Sequence, residues 1–111
     1  KKKFIEFKPF GARAYLNGIS LIDARIGEEF WKSWEADDME RIQEIIDKLE
    51  NPFFDTVVKK YGWHRCNKAL IQCLGIFHRR DRMPMPHLNE EEFKEVQNVF
   101  KTIQENLKII N

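Results

Sequence analysis

Apolar residues recur every three or four positions along most of this chain, the period of an α-helix with one buried face. Asp23 can cap a helix that carries Ile26, Phe30, Trp31 and Trp34 on one stripe. The pattern breaks at Ala36-Asp37. Asp37 followed by Glu40 has the form of a capping box, and Met39, Ile42, Ile45, Ile46 and Leu49 mark the next helix. Asn51-Pro52 reads as a cap and a first helical residue, opening a helix with Phe53, Phe54, Val57, Val58 and Tyr61 that Gly62 stops. Cys66, Ala69, Leu70, Cys73 and Leu74 form a fourth stripe, closed by Gly75. Asn89 with Glu92 caps a long helix bearing Phe93, Val96, Phe100, Ile103, Leu107 and Ile110. These signals predict helices close to residues 24 to 35, 38 to 50, 52 to 61, 64 to 74 and 90 to 109.

Two stretches do not fit a helix. Ile76 to Leu88, with Pro84, Pro86 and the cluster Arg79, Arg80 and Arg82, is expected to lie extended over the surface. The segment from Ala12 to Ile19 is short, nearly unbroken in small and apolar residues, and led by Gly11, so it reads as one buried strand. A lone strand needs partners for its backbone donors and acceptors, and none is evident elsewhere in the chain. Phe4-Ile5-Glu6-Phe7 has no period that assigns it, and residues 1 to 10 stay unassigned.

At 111 residues and 42% hydrophobic content the chain can bury one core, so it reads as a single unit. A formal net charge of +1 with interspersed signs gives no field to attract nucleic acid or an anionic membrane, and neither is expected as a partner. Cys66 and Cys73 lie seven apart on a helical pattern, about 10 Å, beyond disulfide reach. With no signal peptide and no long apolar run, a cytoplasmic location is expected.

Gly11 to Ser20 resembles the last barrel strand of the dihydrodipicolinate synthase and N-acetylneuraminate lyase family, class I aldolase-type enzymes built on a TIM barrel. The Phe30 to Trp34 helix, the acidic break at Ala36 to Asp38 and the Met39 to Glu50 helix resemble that family's final barrel helix and first C-terminal helix. Lys68-Ala69-Leu70 before Leu74-Gly75 is similar to its Lys-x-Ala-Leu…Leu-Gly helix, and Arg82-Met83-Pro84-Met85-Pro86…Leu88-Asn89 with Glu90 to Glu92 to its approach to the terminal helix. The match covers about residues 11 to 110. Gly62-Trp63-His64 stands where the family commonly has a proline, and Arg13 where its residue is usually small.

The resemblance implies a mainly α chain: one barrel-type strand followed by about five helices, the last βα unit (11 to 35) and the C-terminal helical domain (36 to 111) of a (β/α)8 lyase. A barrel of this kind takes about 250 residues and eight strands, so one strand cannot close it. The complete enzyme would form an imine between a lysine and pyruvate or another 2-oxo acid, without a further cofactor. That lysine lies on an earlier strand by resemblance, so this chain carries no catalytic residue and is expected to be inactive alone. Some homo-oligomer formation is also implied. Trp31 and Trp34 would face the missing barrel as an apolar patch.

Strand ends are where a TIM barrel keeps its chemistry, which singles out Asn17, Gly18, Ile19 and Ser20 as a wall of the substrate pocket. A strand end and turn with no ligand explains the same residues equally well. Lys68 is the tempting nucleophile, but its place in the motif is not the catalytic one. His64, Cys66, Cys73, His78 and His87 lack metal-ligand spacing, so no metal is expected. The rival reading is a free-standing helical module whose exposed aromatic faces bind a protein.

Overall fold

The computed structural model describes residues 2 to 111. Helix α1 spans Lys2–Glu6, α2 Ala24–Glu35, α3 begins with Met39–Ile45, α4 spans Trp63–Cys73 and α5 Glu90–Asn106. Short 3-10 turns occupy Lys8–Phe10, Ile19–Leu21 and Leu107–Ile110. The fold is therefore mainly helical, as the periodicity predicts. Among the described residues there is no strand: 12 to 17 are irregular and Ile19 opens a 3-10 turn, where a strand through residue 19 is expected. Ladder partners are what make a strand, and none lies among the described residues.

The stripes read from the sequence meet in one core. Ile26, Phe30 and Trp34 of α2, Ile42 and Ile45 of α3, Cys66, Ala69 and Leu70 of α4, and Phe93, Val96, Phe100 and Ile103 of α5 are all buried. α2 lies against α3, and α4 against α5. Asp23 caps α2 by accepting the Arg25 N–H at 2.9 Å. Asn89 and Glu92 form the expected capping box of α5 at 2.9 and 3.0 Å.

Two local expectations are corrected. The cap of α3 is Asp38, which accepts from the Arg41 N–H, whereas Asp37 takes a left-handed φ of 55° and spends its carboxylate on Lys8 at 2.5 Å. Asn51-Pro52 does not separate two helices. The chain stays helical from Met39 to Tyr61, passing through π-helical Ile46–Glu50 and Phe53–Val58 to the turn Lys59–Tyr61. Pro52 sits inside that run with φ −56° and ψ −31°. Gly62, at φ 89°, then turns the chain away, and Gly75 at φ 74° ends α4.

The unassigned N-terminus also finds a place. Phe4 stacks on Trp34 at 4.1 Å between centroids and touches Tyr15 at 4.9 Å, so it covers an aromatic cluster that includes Phe30. Trp34 is consequently buried instead of open to a missing barrel, and of the two expected patch residues Trp31 alone stays half-exposed.

Residues 76 to 88 follow the surface, as expected, but they are pinned by a buried cation. The Arg79 guanidinium donates to the Leu88 carbonyl (2.7 Å), Gln72 Oε1 (3.0 Å) and Glu90 Oε1 (2.6 Å), and lies 4.4 Å from the Phe93 ring. Only an arginine fork can reach three acceptors in these directions and still stack on an aromatic face.

Candidate functional site

Residues 12 to 20 run from the N-terminal turn to the cap of α2, and they border two adjoining surface clefts. The larger, about 500 Å³, is lined by Lys8, Ala12, Arg13, Trp31, Trp34, Glu35 and Asp37. The smaller, about 330 Å³, is lined by Arg13, Ala14, Tyr15, Asn17 and Trp31. Arg13, Tyr15 and Asn17 recur with the period of two that puts side chains on one face of an extended chain. Leu16, between them, is fully exposed.

The four residues expected to wall a substrate pocket, Asn17, Gly18, Ile19 and Ser20, sit in different surroundings. Asn17 lines the smaller cleft, and its Nδ2 donates to Ser20 Oγ at 2.5 Å. Ile19 is 1% exposed and belongs to the core, where its side chain cannot meet a ligand. Gly18 lies under the Trp63 indole, and a methyl at its Cα would fall inside that ring. Close approach is thus the reason for glycine there, although the group that approaches is this chain's own tryptophan. Trp63 is in turn stacked on Phe54, 5.3 Å between centroids and 12° between planes.

Gly27 is a site residue that sequence reasoning missed. A methyl at that position would collide with Asn17 Nδ2 and Ser20 Oγ, so its lack of a side chain lets the 17 to 20 turn rest on α2. A glycine inside an amphipathic helix costs roughly 1 kcal/mol against alanine, which was the available signal.

Burial dominates the electrostatics of the tyrosine and cysteine side chains. Burial, and the Glu50 charge after it, push the Tyr15 hydroxyl well above its usual range, so it stays neutral at physiological pH. Burial likewise raises the Cys66 and Cys73 thiols to about 11, which leaves them unreactive. The Lys68 ammonium lies 4.9 Å from the Phe77 ring. His64 Nε2 is hydrogen-bonded to Asp81, whose carboxyl is held below the usual range chiefly by that bond. This pair ties the start of α4 to the 76 to 88 loop on an exposed surface. Among the described residues no group of three or more His, Cys, Asp or Glu side chains could hold a metal ion, and no helix is long and apolar enough to cross a membrane.

Comparison of the chain with family models, with curated proteins and with solved structures finds no match in any of the three. Beside segment 12 to 17 the clefts present the Arg13 guanidinium and an aromatic wall.

Proposed function

We propose that the chain is the C-terminal portion of a Schiff-base-forming lyase or aldolase of the dihydrodipicolinate synthase type, acting on pyruvate or another 2-oxo acid, and inactive on its own. The observation that carries this reading is the segment 12 to 17. No loop backbone hydrogen bond among the described residues has a donor or acceptor within 13 to 17, and the segment leads directly into the capped helix α2. Backbone of that kind is suited to neighbours on both sides, as a barrel strand would have. Helical runs over 24 to 35, 39 to 61, 63 to 73 and 90 to 106 follow it.

In this reading the parent's lysine, on an earlier strand, adds through its amine to the 2-oxo carbon and loses water, and the protonated imine withdraws electrons from the bond to be made or broken. Asn17 and Ser20 stand at the end of the segment, where a barrel keeps its substrate groups. Holding a desolvated amine beside a proton relay can lower the barrier by roughly 7–11 kcal/mol, and one strand end cannot assemble such a pocket.

A second reading, a helical protein-interaction module, is favoured by a different observation. Ile76, Phe77, Met83 and Met85 stand exposed on one loop.

Incubation with pyruvate and borohydride separates the two. The 111-residue chain should keep its intact mass, and the full-length product of the same coding sequence should gain one reduced pyruvate adduct. An adduct on a single lysine of the isolated chain, such as Lys68, would make it a small enzyme. A coding sequence without a preceding barrel would leave the module reading standing.

A further inference from the structure

We infer that the loop from Ile76 to Leu88, lying along α4, is a docking surface for a short acidic amphipathic segment of a partner protein. The inference rests on the interaction-module reading and gives the partner's chemistry.

The first observation is that the loop has a fixed course. It doubles back beside α4 through contacts that fall on one helical stripe, His64, Lys68 and Gln72. Gln72 Oε1 accepts the Arg79 N–H at 3.0 Å, the Lys68 ammonium lies 4.9 Å from the Phe77 ring, and His64 Nε2 is bonded to Asp81. The Met85 N–H closes a turn on the Arg82 carbonyl at 2.8 Å, and the buried Arg79 fork anchors the whole. A partner therefore meets a surface already ordered, which removes part of the entropic cost of binding.

The second is charge. The net charge of +1 conceals a division along the chain. Residues 63 to 88, which make α4 and the loop, hold Arg65, Lys68, Arg79, Arg80 and Arg82 against one acidic residue, Asp81. That carboxylate is bound to His64, and Arg79 is bound to Glu90. Arg80 and Arg82 are exposed, and among the described residues no carboxylate engages either guanidinium. A guanidinium with donors in a fixed fork is matched best by a carboxylate or a phosphate.

The third is the apolar surface among those charges. Ile76, Phe77 and Met85 are exposed and Met83 is 91% exposed, on either side of Arg80 and Arg82 in the loop. Covering such side chains is favourable, so the partner has to bring apolar groups as well as negative charge. Phosphates of a nucleic acid would answer the arginines and leave Met83 and Met85 in water. A lipid surface attracts lysine and arginine alike. Arginine set among Met and Phe is the composition enriched in protein interfaces, and methionine adapts its shape to apolar side chains. A segment with carboxylates flanking an apolar face satisfies both sets of groups at once.

The test uses the isotopically labelled 111-residue chain and two blocked peptides, Glu-Leu-Leu-Glu-Asp-Phe-Leu-Glu-Glu-Leu and its neutral twin with Gln for Glu and Asn for Asp. The acidic peptide should shift the amide resonances of residues 76 to 88 and the methyl resonances of Met83 and Met85, and the twin should bind about tenfold more weakly. Arg80→Ala combined with Arg82→Ala should abolish that preference, and Met83→Ser should weaken both peptides. Because these side chains are exposed, the variants should retain the dispersed spectrum of the folded chain. Equal binding of the two peptides at the loop would overturn the acidic partner and leave the interaction-module reading standing. Shifts confined to another surface, or none with either peptide, would overturn both. Vesicles of phosphatidylserine and phosphatidylcholine, or a uridine oligonucleotide, engaging the loop where the acidic peptide does not would overturn the protein partner.

Discussion

Asn106 Nδ2 donates to the backbone carbonyl of Lys48 at 2.8 Å, across 58 positions of sequence. The reason lies four residues after Lys48. Pro52 has no N–H, so the carbonyl of Lys48 lacks its usual helical donor, and the last residue of α5 supplies one. The long helical run from Met39 thus survives an internal proline. Asn106→Ala should destabilise the fold by about 1 kcal/mol in urea unfolding. In a Pro52→Ala background, where a backbone donor is restored, the same change should cost less. Equal costs in both backgrounds would show that the two residues are not coupled.

Arg79 should be the most costly of the loop residues to replace. Truncation to Ala leaves the Leu88 carbonyl without its donor and Gln72 Oε1 with only the backbone N–H of residue 79, for an expected loss of about 1–3 kcal/mol. Arg79→Lys should recover little of it, since one ammonium cannot reach these acceptors together with Glu90. Chemical denaturation of both variants checks this, and hydrogen exchange should quicken first in residues 76 to 88.

Gly18→Ala should displace Trp63 from Phe54. The added methyl meets the indole ring, and Trp63 is exposed enough to swing outward, so the loss is that of a stacked aromatic contact, about 1 kcal/mol. Trp63 fluorescence should shift to the red. The double variant Gly18→Ala, Trp63→Leu should show much less additional loss than the two single costs sum to.

The pH dependence follows from carboxyls held below their usual range. Asp81 is lowered by its hydrogen bond from His64, Glu90 by its bond from Arg79, and Asp23 by its bond from Arg25. A carboxyl whose folded pKa lies below its unfolded one stabilises the fold fully above the unfolded value, near 4, and that contribution disappears as the pH falls through the folded value. Thermal unfolding midpoints should therefore drop below about pH 4. Asp81→Asn should flatten part of that drop, and an unchanged profile in Asp81→Asn would remove the His64 contact from the account.

Both cysteines should resist alkylation in the folded chain. Their thiols are raised to about 11 by burial, so very little thiolate exists at pH 8. Iodoacetamide should label the buried Cys66 at the rate of unfolding and Cys73, the less buried, sooner.

Local signals in the sequence determined the helical character of this protein. Asp23, Asn89 and Glu92 act within one turn of themselves, and stripes such as Phe93, Val96, Phe100 and Ile103 need only a buried face, whichever surface covers it. For that reason α2 and α5 are legible to within a few residues. Gly62 and Gly75 were legible too, because a left-handed stop depends on the residue itself.

Distant contacts decided the rest. Asn51-Pro52 reads as a helix start, and it became a helix interior in a run that is π-helical on both sides of the proline, with Asn106 meeting the Lys48 carbonyl. Asp37 has the spacing of a cap but is drawn to Lys8, which leaves the cap to Asp38. Phe4 carries no periodic signal and is placed by the faces of Trp34 and Tyr15. At the candidate site Asn17 reaches a cleft, whereas Ile19 turns into the core and Gly18 makes room for Trp63, because the positions of α2 and α4 assign those directions. Segment 12 to 17 has the composition of a strand without the neighbours of one. A strand is a property of paired chains, so composition can propose it and only the partner's hydrogen bonds can form it.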